Sequence, residues 1–195
     1  MVFIVLEGFS GTGKTTLAKR LEEQGWIRLK ESAHAVPKQV PVAERADTYA
    51  DYSLLGATMV YASEISKLRG KRRLVSEGYL LSDLAYARIR YDLKKSRAFP
   101  AMLSLCKQII SEPAMRPDLY ILLKARTGTI SARQKRKNSR EKNLNDFFRK
   151  RYYSAIQDIH ERLGEDRVEI VYTDSDSSAT LGEIHARLKK RKLET

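Results

Sequence analysis

Gly8-Phe9-Ser10-Gly11-Thr12-Gly13-Lys14-Thr15 fills every fixed position of G-x-x-x-x-G-K-[ST], the signature of the phosphate-binding P-loop. Its flanks decide the fold. Val2-Phe3-Ile4-Val5-Leu6 before it is a continuous apolar run, the pattern of a parallel strand buried on both faces. Thr16-Leu17-Ala18-Lys19-Arg20-Leu21 after it places Leu17 and Leu21 on one helical face. Strand, glycine-rich turn and helix is the order the chemistry needs. Successive backbone N–H groups make a nest for an anion, and the helix N-terminus adds about half a positive charge. The candidate nucleotide-binding residues are therefore Gly8, Ser10, Gly11, Thr12, Gly13, Lys14, Thr15 and Thr16. Glycines let the chain approach phosphates closely, Lys14 reaches the β- and γ-phosphates, and the Thr15 hydroxyl suits Mg2+.

The chain has 195 residues, enough for one domain over 1–195 with a substantial core. No apolar run approaches the roughly 20 residues a membrane helix needs, so no membrane association is expected. Met1 leads straight into the strand, which predicts no signal peptide, and the lone Cys106 excludes an internal disulfide. Cys106 ends the apolar stretch Met102-Leu103-Ser104-Leu105 and reads as a buried thiol; a cytoplasmic location is the expectation. The net charge of +13 points to polyanionic partners, nucleotides first and nucleic acid as an allowed alternative. Much of the excess is local, in Arg133, Lys135, Arg136, Lys137 and Arg140, and again in Arg187, Lys189, Lys190, Arg191 and Lys192. The second group reads as a solvated helix end, where cations favour the macrodipole.

Apolar runs alternate with helical patterns along the whole chain. Residues 26–29 form a predicted second strand after Gly25, and 42–68 a long helix bent near Gly56. Residues 74–76 form a third strand, followed by a helix over 82–92 with Ser82 as N-cap. Pro100 opens the next helix, through 111. Residues 118–123 form a fourth strand, and then come a short basic helix and a longer one with Phe148, Tyr152, Ile156, Ile159 and Leu163 on one face. Residues 168–172 form a fifth strand, and Thr180-Leu181-Gly182-Glu183 reads as a capping box opening the last helix. Five strands separated by helices imply a parallel sheet covered on both faces, with ligands beyond the carboxyl ends of the strands.

That rule selects three carboxylates. Glu77 suits Mg2+ held through water, or else an acid capping the Gly78-Tyr79 turn. Glu31 suits a base for an acceptor hydroxyl or a grip on a nucleoside, against a plain surface acid. Glu7 suits ordering of local backbone and lysine contacts. The basic segment 126–142 suits a lid that closes over a nucleotide and brings a guanidinium to developing charge, against a solvated helix. Phe9, Tyr79, Tyr86 and Tyr91 offer faces for a base, with core packing as the plainer reading; Tyr86 is preferred. His34 is the histidine near the predicted site, and the three histidines show no metal-ligand spacing.

These motifs, taken in order, resemble the thymidylate kinase and deoxynucleoside kinase group of P-loop enzymes. The first strand with its Glu7-Gly8 pair carries the resemblance, as do Ser76-Glu77-Gly78-Tyr79 with Ser82-Asp83-Leu84-Ala85-Tyr86, and Arg116-Pro117-Asp118-Leu119. The resemblance implies an α/β, three-layer P-loop NTPase fold with a five-stranded parallel sheet. It implies ATP and Mg2+ as cofactors, lid arginines at Arg133, Arg136 and Arg140, Lys14 on the phosphates and Thr15 with Glu77 at the metal. Two departures stand out. Thymidylate kinases carry an arginine after the third-strand acid to hold the acceptor phosphate, deoxynucleoside kinases expect that arginine too, and Gly78 is here instead. Their Arg-Glu-Pro-Gly-Gly segment is replaced by Lys30-Glu31-Ser32-Ala33-His34, where Glu31 resembles the base of deoxynucleoside kinases. Arg28, Lys30, Arg45, Arg88 and Arg90 are candidates for the displaced cation. The expected activity is transfer of the γ-phosphoryl of ATP to a nucleoside monophosphate, with a nucleoside 5′-hydroxyl as the alternative acceptor. A kinase of nucleic-acid 5′-ends and a non-catalytic ATP-binding module are further alternatives. A homodimer is compatible with the sequence and not specified by it.

Overall fold

The computed structural model describes residues 2–37, 39–41, 46–136, 146–164 and 166–193. Five strands, β1 Phe3–Gly8, β2 Ile27–Leu29, β3 Leu74–Glu77, β4 Leu119–Lys124 and β5 Val168–Tyr172, form one sheet in the order β2-β3-β1-β4-β5. Every neighbouring pair is parallel. The apolar run around Phe3–Leu6 thus becomes the central strand, wholly buried along its length.

Alternation along the strands sorts the side chains into two layers. Ile4, Leu6, Val75, Leu119, Ile121 and Val171 face α1 (Lys14–Glu23) and α7 (Ser177–Lys190), where they meet Leu17, Leu21, Ile184 and Leu188. Phe3, Val5, Tyr120 and Leu122 face the opposite layer, built from α2 (Thr48–Leu68), α3 (Leu80–Asp92), α4 (Phe99–Ser111) and α6 (Asp146–Leu163). Between β4 and α6 lies the short α5 (Thr127–Arg136), and a single 3-10 turn, Ser32–His34, follows β2. The expected three-layer α/β architecture with helices on both faces is what the chain adopts. Phe148, Tyr152, Ile156 and Ile159 form the buried face of α6, as their spacing predicts, and Cys106 is buried.

Several boundaries differ from the sequence expectation. α2 begins at Thr48 because the Asp47 side chain caps it, accepting from the Ala50 N–H at 2.9 Å; residues 42–45 lie outside the described residues. It runs unbroken through Gly56. α3 begins at Leu80, so Ser82 lies within its first turn and is not its cap. α4 begins at Phe99, one residue before Pro100. α7 begins at Ser177, capped by Asp176 through the N–H groups of Ser178 (2.7 Å) and Ala179 (2.9 Å), and the Thr180–Glu183 pattern is interior to it. In both α2 and α7 an aspartate three residues before a backbone donor outcompetes the more distant signal.

Candidate active site

The carboxyl ends of β1, β2, β3, β4 and β5 converge on the turn that follows β1. Gly8 stands at φ +153, and a Cβ there would lie 2.7 Å from Thr12 Oγ1 and 2.8 Å from the Leu123 carbonyl, so only glycine fits. Thr12 closes the loop on itself, its hydroxyl donating to the Phe9 carbonyl at 2.8 Å. α1 starts at Lys14, with no acid in its first turn, so its N-terminal amides remain available to an anion. Lys14 Nζ donates to the Gly8 carbonyl at 2.6 Å and lies 3.4 Å from Glu31 Oε1.

Thr15 and Glu77 meet as the sequence proposed: the Thr15 hydroxyl donates to Glu77 Oε2 at 2.5 Å. β3 carries Val75 into the α1 layer, and the period of two brings Glu77 to the same side. The other carboxylate oxygen of Glu77 takes a hydrogen bond from Arg28 Nε at 2.5 Å. This settles which of the candidate cations stands at the strand-three acid. Arg28 does; Arg90 is wholly buried against Asp51, Arg88 is paired with Asp92 and Asp158, Lys30 is exposed, and Arg45 lies outside the described residues. Two hard oxygens side by side at the mouth of the phosphate nest fit a magnesium ion that keeps its remaining ligands from water and substrate phosphates.

Gly78 has φ +76, and a Cβ built on it would sit 3.3 Å from Glu31 Cγ and 3.5 Å from Oε1. The space that an arginine side chain would start into is where Glu31 passes on its way to Lys14. Glu7 faces the other layer with Phe3 and Val5, fully buried. It accepts from the Tyr79 N–H at 3.0 Å and from the Ser82 hydroxyl, which in turn lies 2.7 Å from Tyr152 Oη. Burial pushes its carboxyl up to about 7, with the Ser82 hydrogen bond and the Lys14 charge pulling back. Glu7 therefore ties β1 to the start of α3, which matches the local ordering role read from sequence.

Behind Glu31 lies a polar cluster that the sequence reading missed. Asp83 accepts from the Thr58 hydroxyl at 2.5 Å and from Ser32 Oγ at 3.0 Å, joining α3, α2 and the 3-10 turn. Burial raises its pKa to about 6, opposed by those two hydrogen bonds. Nearby in the same helices Asp51 and Arg90 form a wholly buried ion pair. The available signal was an acid at an apolar position of a helical period: Asp51 among Ala50, Leu54 and Leu55, and Asp83 among Leu80, Leu81 and Leu84.

Of the arginines expected in a lid, Arg133 reaches the loop. Its guanidinium donates to the Thr173 carbonyl at 2.5 Å and Thr173 Oγ1 at 3.1 Å, with the Gly11 and Thr12 carbonyls at 3.5 Å. Gln134 Nε2 donates to the Ser10 carbonyl at 3.1 Å. Together they set α5 against the P-loop and leave a cavity of about 290 Å3 lined by Gly11, Gly13, Thr15, Arg133 and Thr173. Thr16 lines the same cavity. Arg136 is the last residue of α5, its side chain outside the description, and Arg140 lies outside the described residues. Phe9 and Tyr79 are core residues, and Tyr86 packs on Tyr152 at 5.2 Å between ring centroids, so core packing accounts for all three. Tyr91 packs against Phe99, and His34 is exposed on the 3-10 turn.

No family model matches the chain, and neither does any curated protein. Solved structures do. The thymidylate kinase of Candida albicans superposes with a TM-score of 0.74 at 16% identity, over 98% of this chain and 92% of that one. The deoxyadenosine kinase of M. mycoides with bound dCTP gives 0.67 at 18% identity, over 97% and 100%. The same kinase with bound dATP gives 0.66 at 17%, again over 97% and 100%. At such identities the likeness establishes the fold, which is that of the P-loop nucleotide and nucleoside kinases.

Proposed function

We propose that this protein is a phosphotransferase that moves the γ-phosphoryl group of ATP to a nucleoside or nucleotide. The observation that carries the reading is the grouping of Lys14, the Thr15–Glu77 pair and Arg133 around one amide-lined loop. Phosphoryl transfer asks the protein mainly for positioning and for positive charge where negative charge develops. The amides from Ser10 to Thr15 and Lys14 hold the phosphates. Arg133, held across the loop by Thr173, stabilises charge on the transferring group. Thr15 and Glu77 would hold Mg2+, which when bound neutralises phosphate charge.

The acceptor side favours a hydroxyl. It presents Glu31 and Asp83, and its cations are committed elsewhere: Arg28 to Glu77 and Arg90 to Asp51. Glu31, 3.4 Å from Lys14, would take the proton of a nucleoside 5′-hydroxyl. The likeness to deoxyadenosine kinase fits this acceptor. The likeness to thymidylate kinase supports a monophosphate acceptor, which would draw on Arg28 for the grip that Gly78 lacks. Incubation with γ-labelled ATP and thymidine, deoxyadenosine, deoxycytidine or their monophosphates separates the two, the expected result being label on a nucleoside. Label only on monophosphates shifts the acceptor. ATP binding without label on any small acceptor overturns the proposal.

A further inference from the structure

A second cavity, about 750 Å3, opens at the carboxyl ends of β4 and β5, and none of its lining comes from the P-loop. It exists because β5 is an edge strand whose carboxyl end is covered on one face only. Val171 is buried against the α7 layer, while Ile170 and Tyr172 point the other way and are 41% and 61% exposed. Lys124, Arg126, Arg149 and Lys150 line this cavity. Its two acids are already engaged: Asp174 accepts from the Arg126 N–H at 2.9 Å and the Thr129 hydroxyl at 2.7 Å, and Glu183 pairs with Arg187 at 3.0 Å. Lys124, Arg126 and Lys150 make no ion pair among the described residues. Elsewhere this chain pairs its buried or structural arginines, as Arg28–Glu77, Arg69–Asp118 and Arg90–Asp51 show. Gathered without a carboxylate paired to them, the charges of Lys124, Arg126 and Lys150 repel, and an anionic ligand relieves that.

Two tyrosines narrow the ligand. Tyr153 is pinned, its hydroxyl on the Leu123 carbonyl at 3.0 Å and the Lys124 ammonium 5.4 Å from its ring centroid. Tyr172 presents an exposed ring at the same cavity. Cations that track phosphates beside an open aromatic face are the two elements of single-strand recognition. We propose that this cavity binds single-stranded nucleic acid, with Lys124, Arg126, Arg149 and Lys150 on the phosphates and Tyr172 under a base. The net charge of +13 extends the attraction beyond the cavity. The inference does not rest on the phosphoryl-transfer reading.

The test is fluorescence anisotropy of a labelled oligothymidylate of about 20 nucleotides, titrated between about 50 and 200 mM salt. Wild type is expected to bind with a log–log salt slope of about −2 to −3, from three or four phosphates at about −0.7 each. Lys124→Gln with Lys150→Gln should lower affinity about tenfold or more at low salt and flatten the slope by about 1.4. Tyr172→Ala should weaken oligonucleotide binding at least about fivefold and leave binding of inorganic polyphosphate unchanged. Unchanged ATP binding in each variant shows that it is folded. Wild type that fails to bind the oligonucleotide at low salt overturns the proposal. So does a double variant with the wild-type slope. Equal oligonucleotide affinity in wild type and Tyr172→Ala, with polyphosphate competing fully, also overturns it in favour of a plain polyphosphate site.

Discussion

Glu7 shares the face of β1 that carries Phe3 and Val5, and that placement removes it from water. Its pKa rises from 4.5 to about 7. Below pH 4.5 the carboxyl is protonated folded or unfolded, and the raised value costs nothing. Between 4.5 and 7 the unfolded chain ionises while the folded chain keeps its proton, so stability falls as pH rises. Above 7 the loss is complete, at roughly 3 kcal/mol. Glu7→Gln retains an oxygen for Tyr79 and never ionises. Urea unfolding at pH 5 and pH 8 should show a stability loss in wild type that is smaller by about 2–3 kcal/mol in the variant; identical pH dependence would refute the assignment. The Asp83 charge adds to the raised value, so the difference between the two proteins reports Glu7 together with that coupling. Gly78 makes a second residue-scale case. An L-residue in its left-handed conformation costs about 1–2 kcal/mol, and a Cβ there presses on Glu31. Gly78→Ala should therefore lose that much stability in urea and reduce transfer to the acceptor, whereas unchanged turnover would show that Glu31 needs no such room.

At the scale of elements, α2 and α3 are joined by the Asp51–Arg90 pair, both side chains wholly buried. Removing one partner strands a charge in the core. Asp51→Ala should cost about 3–5 kcal/mol in chemical denaturation, and replacing both residues by leucine should cost less than Asp51→Ala alone. A double variant as unstable as the single one would show that the pair does more than neutralise itself. α5 is held differently, by Arg133 and Gln134 on carbonyls of the P-loop and on Thr173. If the guanidinium acts on developing charge as proposed, Arg133→Ala should lower kcat by about 10²–10³, well beyond the roughly 1–2 kcal/mol of stability that losing its bonds to the P-loop and Thr173 costs. A change confined to stability would make Arg133 a strut. The same element-scale view explains the cap corrections: Asp47 and Asp176 each present a carboxylate to nearby helix N–H groups, and that local bond fixes where α2 and α7 begin.

Across the whole molecule, ligand binding and folding are linked. At ATP near 100 times its dissociation constant, the folded state gains about 2.7 kcal/mol, which for a chain of this size raises Tm by about 5–10 °C. Thermal melts with and without ATP and Mg2+ should show that shift in wild type, and Lys14→Ala should abolish most of it; an equal shift in the variant would place the nucleotide elsewhere. The parallel sheet, its two helical layers and the P-loop were legible in the chain, because each rests on local order: apolar runs, the 3.6-residue period and glycines at fixed spacing. The Thr15–Glu77 meeting followed from the rule that strand ends gather at one edge. Arg28 on Glu77, Glu31 over Gly78, Asp83 between Thr58 and Ser32, and the cavity beside β5 were not legible. Each joins residues from strands or helices distant in sequence, and their contact depends on β2 lying beside β3, on which face a side chain leaves its strand, and on an edge strand whose carboxyl end is left bare on one side. Local chemistry wrote the glycine-rich loop and its lysine into the sequence; long-range packing alone decided what surrounds Glu31.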